Sequence, residues 1–156
     1  MPLLEPAQLL QAISGRFTSA LPLVGWAREL GDLHAELLPF RLHQGLRPRG
    51  FDCEHIHALI DKVVGEIDAW AERNIPRTKC ARKHTHSLGE VINHIANTYV
   101  EAWWTVLHSA DIELRHQAWF HLGEAREGYA EMVNEIRARR LQLPLGTRGI
   151  RRGRIG

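Results

Sequence analysis

The spacing of apolar residues predicts helices along most of the chain. In five segments, apolar side chains recur every three or four residues, which is the period of one helix face. The predicted helices cover residues 6–14, 22–38, 52–73 and 88–108, and a fifth runs from Ser109 or Asp111 to about Leu141. No segment shows the two-residue alternation of a strand. The pattern predicts an all-α protein, an antiparallel bundle of four main helices with a short N-terminal helix.

Prolines and capping residues set two of the predicted helix ends. Pro39 is expected to stop the second helix, because proline has no main-chain N–H and strains the turn before it. Ser87 is followed three residues later by Glu90, which forms a capping box and starts the fourth helix at Leu88.

The inner face of the fifth helix is predicted to carry Trp119, Leu122, Ala125, Tyr129, Met132, Val133 and Ile136. Gly123 and Gly128 lie inside this helix, where each costs about 1 kcal/mol relative to alanine. Close packing or a bend is the expected reason for both glycines. Trp70 and Trp103 are also expected on core faces, and Trp104 lies near the edge of an apolar stripe.

Length and charge divide the chain into one domain and a tail. The 156 residues, 44% hydrophobic and 24% charged, suit a single soluble globular domain, assigned to residues 1–144. Seven arginines and no acid follow from Arg137 onward. Residues 145–156 are therefore predicted to be a flexible, disordered Arg-rich tail. Nucleic acid could be bound only through this tail, which lacks interleaved aromatic residues, so a solubilising role is favoured.

Apolar run lengths and cysteine usage indicate a cytoplasmic protein without a membrane partner. The longest apolar runs are too short to span a bilayer. The first ten residues contain Glu5 and no basic residue, so they do not read as a secretory signal. Cys53 and Cys80 are not in a CxxC spacing; reduced thiols are favoured, while a single bridge stays open.

The segment from Lys79 to His94, KCARKHTHSLGEVINH, is the richest in side chains able to do chemistry near neutral pH. The first N–H groups of a helix favour anions, and here basic residues precede such a start. The predicted catalytic residues are His84, His86 and Glu90, with the histidines as a general acid/base pair. The predicted ligand-binding residues are Arg82, Lys83, Thr85, Ser87 and His94. This hypothesis describes an enzyme or binding protein for a polar or anionic small molecule, with reaction and cofactor unknown.

Three alternatives stay open for the same segment. Helical phase places Glu90 and His94 together on the polar side of the fourth helix, and His86 could approach them to hold zinc or iron. That hypothesis is the weaker one, because HExxH and cysteine pairs are missing. The charged residues could also be a solvated loop before a capped helix. Finally, instead of a site in this segment, the chain could be a non-enzymatic interaction or oligomerisation module, such as a homodimer, that uses Trp104 and the outer faces of the bundle.

Three stretches carry a resemblance to a known family: ALIDKVVGEIDAWAERNIP, HTHSLGEVINHIA and HQAWFHLGEAREGYAEMVNEIRARRLQLP. From Leu21 to Pro144 the chain resembles the actinobacterial branch of the family catalogued as domain of unknown function 4254. The family's usual core, roughly His-Thr-Glu-Ser-Leu-Gly-x-Val-Ile-Asp-Arg, is matched at His84, Thr85, Ser87, Leu88, Gly89, Val91 and Ile92. The resemblance implies an intracellular helical fold and names no reaction.

This chain departs from the family pattern at three polar positions. His86 stands where the family has Glu, Asn93 where it has Asp, and His94 where it has Arg. If the family shares a site in this motif, the resemblance implies that the present chain has altered it.

Overall fold

A computed structural model describes residues 3–42 and 53–144, and these residues form a helical bundle. The helices are α1 (Pro6–Ile13), α2 (Pro22–Leu42), α3 (Cys53–Asn74), α4 (Leu88–His108) and α5 (Ile112–Arg137). Two short strands, β1 (Arg82–Lys83) and β2 (Leu141–Gln142), complete the described fold. The all-α bundle of four main helices with a short N-terminal helix is therefore confirmed. The predicted helix residue Asp52 and the predicted tail of residues 145–156 lie outside the described residues.

Helix α4 is the centre of the bundle. It packs against α1, α2, α3 and α5. Its apolar positions Leu88, Ile92 and Ile95 are almost completely buried, as the helical period predicts. The first turn of α4 is therefore held by the core. The loop before α4 ends at this fixed turn.

The start of α4 lies unusually close to α3, and Gly89 is the reason. An alanine methyl group at Gly89 would lie 2.5 Å from the Val64 carbonyl oxygen and 2.8 Å from Asp68 Oδ1. The main-chain N–H of Gly89 donates to that same carboxylate oxygen at 2.8 Å. Only glycine allows the two main chains to approach this closely.

The paired strands join the loop before α4 to the segment after α5 by main-chain hydrogen bonds. β1 pairs with β2 in parallel, with Arg82 opposite Leu141 and Lys83 opposite Gln142. The main-chain N–H of His84 then donates to the Gln142 carbonyl at 2.8 Å. The sequence pattern predicts no strand here, because two residues are too few to show an alternation.

Helix α5 ends earlier than predicted, and α2 ends later. The prediction that α5 reaches Leu141 is wrong: it ends at Arg137, since Arg139 takes a left-handed conformation with φ 62°. The prediction that Pro39 stops α2 is also wrong, because α2 continues to Leu42. Proline disturbs only the turn before it, and burial of Leu37 and Leu38 keeps that turn helical.

The first turns of α5 do not face the core. Trp119 was predicted on the inner face, but it is 40% exposed and packs edge-to-face on Trp103 at 5.4 Å between ring centroids. Trp103 itself is half-buried, whereas Trp70 is buried as predicted. None of residues 112–121 is buried. This part of α5 therefore packs outside the core, which leaves Trp119 partly exposed.

Close packing does not account for the two glycines of α5. A methyl group at either Gly123 or Gly128 would meet no atom within 4 Å. That part of the expectation is wrong, because the sequence shows a small residue but not what lies beside it. Both positions can therefore accept a methyl group without a clash.

The described residues bear on two further predictions. No helix within residues 3–42 and 53–144 combines the length and the apolar character that crossing a membrane requires. Cys53 is half-buried, Cys80 is exposed, and both are free thiols, so the open alternative of a bridge between them is not realised.

Candidate functional site

A groove of about 410 Å³ runs between α4 and α5 beside the start of α4. One wall is polar and consists of His84, His86, Glu90 and His94. The other lining residues are mainly apolar: Val91 and Ile95 lie on α4 beside the polar residues, and Ala125, Gly128, Tyr129 and Met132 lie on α5. Four of the residues predicted from the sequence therefore line a common groove, although helical phase alone places Glu90 and His94 on an outward polar side.

His84 is held by main-chain contacts on both sides. Its own N–H donates to the Gln142 carbonyl. Its Nδ1 atom lies 3.1 Å from the His86 main-chain nitrogen, which donates to it, and 2.9 Å from the His86 carbonyl oxygen. The first contact uses Nδ1 as an acceptor and the second uses Nδ1–H as a donor, so each tautomer of His84 has a partner in the His86 main chain. The loop therefore fixes the orientation of the ring in either tautomer.

His86 and His94 form the exposed edge of the groove. Thr85 Oγ1 lies 2.9 Å from His86 Nδ1, so Thr85 orients a histidine rather than lining the groove itself. The rings of His84 and His86 have centroids 6.2 Å apart. Two imidazoles at this distance can both contact one small ligand.

The predicted capping box at the start of α4 is confirmed. Ser87 Oγ accepts the Glu90 N–H at 3.1 Å, and Glu90 Oε1 accepts the Ser87 N–H at 3.3 Å. Ser87 is buried by this arrangement and does not line the groove. Glu90 caps the helix with one carboxylate oxygen while its side chain also forms part of the polar wall.

A carboxylate of the protein already lies at the first turn of α4. Asp68 Oδ1 accepts the Gly89 N–H at 2.8 Å, and Asp68 is buried. A helix N-terminus favours negative charge, and here Asp68 supplies it from within the fold. Polarity alone does not distinguish Asp68 from the exposed acids Asp61 and Glu72 of the same helix. Its spacing from Val64 and Ala71, both buried, is the signal that could have placed it at the α3–α4 interface.

Arg82 and Lys83 lie outside the groove. Both are exposed on β1. The pKa of the Glu135 carboxyl lies below its usual range, chiefly because of its hydrogen bonds with Arg140, and Arg82 adds a smaller effect in the same direction. Arg82 and Lys83, predicted to bind the ligand, are therefore not among the residues that line the groove.

Of the three departures from the family pattern, only two lie at the groove. His86 and His94 line it, whereas Asn93 Oδ1 lies 2.7 Å from His34 Nε2 between α2 and α4. His34 is buried and falls on the apolar stripe that predicts α2. Asn93 therefore serves the helix interface, and the sequence motif mixes residues of the groove with residues of the core.

Within the two described ranges, no three His, Cys, Asp or Glu side chains are grouped so that they could hold a metal ion. The metal hypothesis built on His86, Glu90 and His94 thus gains no support from the geometry.

Comparison of the chain with protein-family models gave no match, and comparisons with curated proteins and with solved structures gave none either. The resemblance to the domain of unknown function 4254 family stays a prediction, and the function has to be argued from the groove.

Proposed function

We propose that this protein binds a polar or anionic small molecule in the groove between α4 and α5, and that His84 and His86 act on it by proton transfer. The observation that carries the proposal is the convergence of His84, His86 and His94 on one wall. A volume of about 410 Å³ lies within the range of sites for small ligands. The proposed location is the cytoplasm, which two free thiols favour.

The contacts of the loop support a role in proton transfer. Histidine is the side chain whose charge changes most readily near neutral pH. His84 is held between the Gln142 carbonyl and the His86 main chain, so its ring needs little reorganisation to meet a ligand. Arg82 and Lys83 on the adjoining strand add positive potential near the groove, which attracts an anion without touching it.

Binding is expected to be lost when both histidines of the loop are removed. The double variant His84→Ala/His86→Ala should bind the probe anions phosphate and citrate at least tenfold more weakly, because it removes two of the donors on the polar wall. Titration calorimetry measures the affinity, and far-UV circular dichroism should show unchanged helicity.

The matched control is the double variant His116→Ala/His121→Ala, which removes two exposed histidines of α5 that do not line the groove. Its affinity should equal that of the parent chain. Equal binding by the His84→Ala/His86→Ala variant would exclude the proposal.

A side chain that fills the groove is expected to block binding even when all the histidines are present. Gly128→Leu should abolish phosphate and citrate binding, because Gly128 lines the groove and its new side chain would enter open space. Gly123→Leu makes the same change on the same helix, at an exposed position where a Cβ also meets no atom within 4 Å, but outside the groove. Titration calorimetry on both variants locates the site: equal affinities would place the anions elsewhere.

A further inference from the structure

The end of the hairpin formed by α4 and α5 carries five large apolar side chains that the bundle does not cover. They are Leu107, Ile112, Leu114, Trp119 and Phe120, and they are between 40% and 71% exposed. We call these five residues the hairpin patch. Surface apolar residues are usually scattered singly, whereas these five are concentrated within residues 107–120 at one end of the bundle, and such a concentration marks an interaction surface.

The helix that presents this patch lacks support from its own bundle. No residue from Ile112 to His121 is buried. A helical segment of this length has little stability of its own in water and normally depends on packing of an apolar face. In the described structure that packing includes the edge-to-face contact of Trp119 with Trp103.

We propose that a second copy of this chain covers the hairpin patch, giving a homodimer with Leu107 and Phe120 at its centre. Homodimers with two-fold symmetry are the commonest assemblies, and they require one surface that is complementary to itself. This proposal is independent of the groove and goes beyond the proposed binding function.

The area of the patch suits a second copy. Phe120 is 67% exposed and Leu107 is 71% exposed. With the other three side chains they leave on the order of 500 Å² of apolar surface on each copy. A standard interface buries roughly 800 Å² per partner, of which about 57% is apolar. The patch therefore supplies the apolar share of such an interface.

The charges of the hairpin also allow two identical surfaces to meet. Between Leu107 and Phe120 the chain carries the acids Asp111 and Glu113 and the base Arg115. Opposite charges within the same short stretch can pair across a two-fold axis, whereas a stretch of one sign would repel its own copy.

A neighbouring groove extends this apolar surface toward α2. Its volume is about 260 Å³, and its lining includes Trp103, Trp104 and Leu107. Leu107 belongs both to the groove and to the patch, so the two are continuous. A groove of this kind can accept side chains of the partner, so it adds shape complementarity to the buried area of the interface.

Sedimentation velocity of the full chain over a hundredfold range of concentration, up to about 0.2 mM, tests the proposal. The expected result is a shift from monomer to dimer as the concentration rises. Phe120→Glu and Leu107→Glu should each weaken the dimer at least tenfold, because a carboxylate would be buried in the contact. Both positions are exposed, so both variants should keep the helicity of the parent chain.

The control Ala58→Glu adds the same charge to an exposed position of α3, a different helix from those that carry the hairpin patch, and it should leave the dimer unchanged. A monomer at every concentration would overturn the proposal and leave the surface to a different protein. A dimer that resists both patch variants, or that is weakened equally by the control, would also overturn it.

Discussion

Gly89→Ala is expected to destabilise the protein by about 3 kcal/mol or more, although alanine is the better helix former. The added methyl group would lie 2.5 Å from the Val64 carbonyl oxygen and 2.8 Å from Asp68 Oδ1. The first of these atoms belongs to the main chain of α3 and cannot move aside without disturbing that helix. If α4 moves instead, the hydrogen bond from Gly89 to the buried carboxylate is weakened as well.

Urea denaturation measures this change in the free energy of unfolding. The control is Gly123→Ala, where a methyl group meets open space and the gain in helix propensity should stabilise the protein by about 0.5–1 kcal/mol. If Gly89→Ala were as stable as the parent chain, the close contact between α3 and α4 would be ruled out.

Local patterns were sufficient for the helices and for the start of α4. The apolar period predicts the buried positions Ile92 and Ile95, because one helix face must be buried. The capping box of Ser87 and Glu90 lies within four residues and needs no knowledge of the rest of the chain. Interactions of this range can be read from the sequence alone.

Contacts between distant segments account for what the sequence did not reveal. The position of His84 depends on Gln142, whose carbonyl accepts the main-chain N–H of His84 directly after the paired strands β1 and β2. The environment of Asp68 depends on Gly89, which approaches it from another helix. The groove is formed by residues of α4, of the loop before it and of α5, and no local pattern sets the distance between α4 and α5.

The motif that carries the family resemblance is explained in part by packing. Four of its matching positions, Ser87, Leu88, Gly89 and Ile92, are buried around the start of α4. The close approach of α3 and α4 requires such residues whether or not the protein has a catalytic or binding site at this motif. Two matching residues, His84 and Val91, line the groove, and His84 is the one of them that could transfer a proton in the proposed function.

Raising the pH above about 10 is expected to destabilise the protein through Tyr129. Its hydroxyl donates to the Leu4 carbonyl at 2.6 Å, and the side chain is 1% exposed. Burial raises the pKa of Tyr129 well above its usual range; Arg137 opposes this effect and Glu5 reinforces it. Below pH 10 the phenol is protonated in the folded and unfolded chains, so its contribution is fully present.

Above that pH the unfolded chain releases the proton while the folded chain retains it. The free energy of unfolding should therefore fall, by up to about 1.4 kcal/mol per pH unit for this one group. The variant Tyr129→Phe should be about 1 kcal/mol less stable at neutral pH, since it loses the hydrogen bond to Leu4. Phenylalanine has no proton to release, so the free energy of unfolding of this variant should also fall less steeply at alkaline pH than that of the parent chain.

Urea denaturation between about pH 8 and 11 separates the two effects. Other groups that titrate in this range contribute equally to both chains, so the difference in slope reports Tyr129. The control is Tyr99→Phe, which changes the half-buried tyrosine of α4 and should keep the decline of the parent chain. If Tyr129→Phe declined as steeply as the parent, Tyr129 would not retain its proton in the folded state. The contact that ties the N-terminal segment to α5 would then be weaker than its geometry indicates.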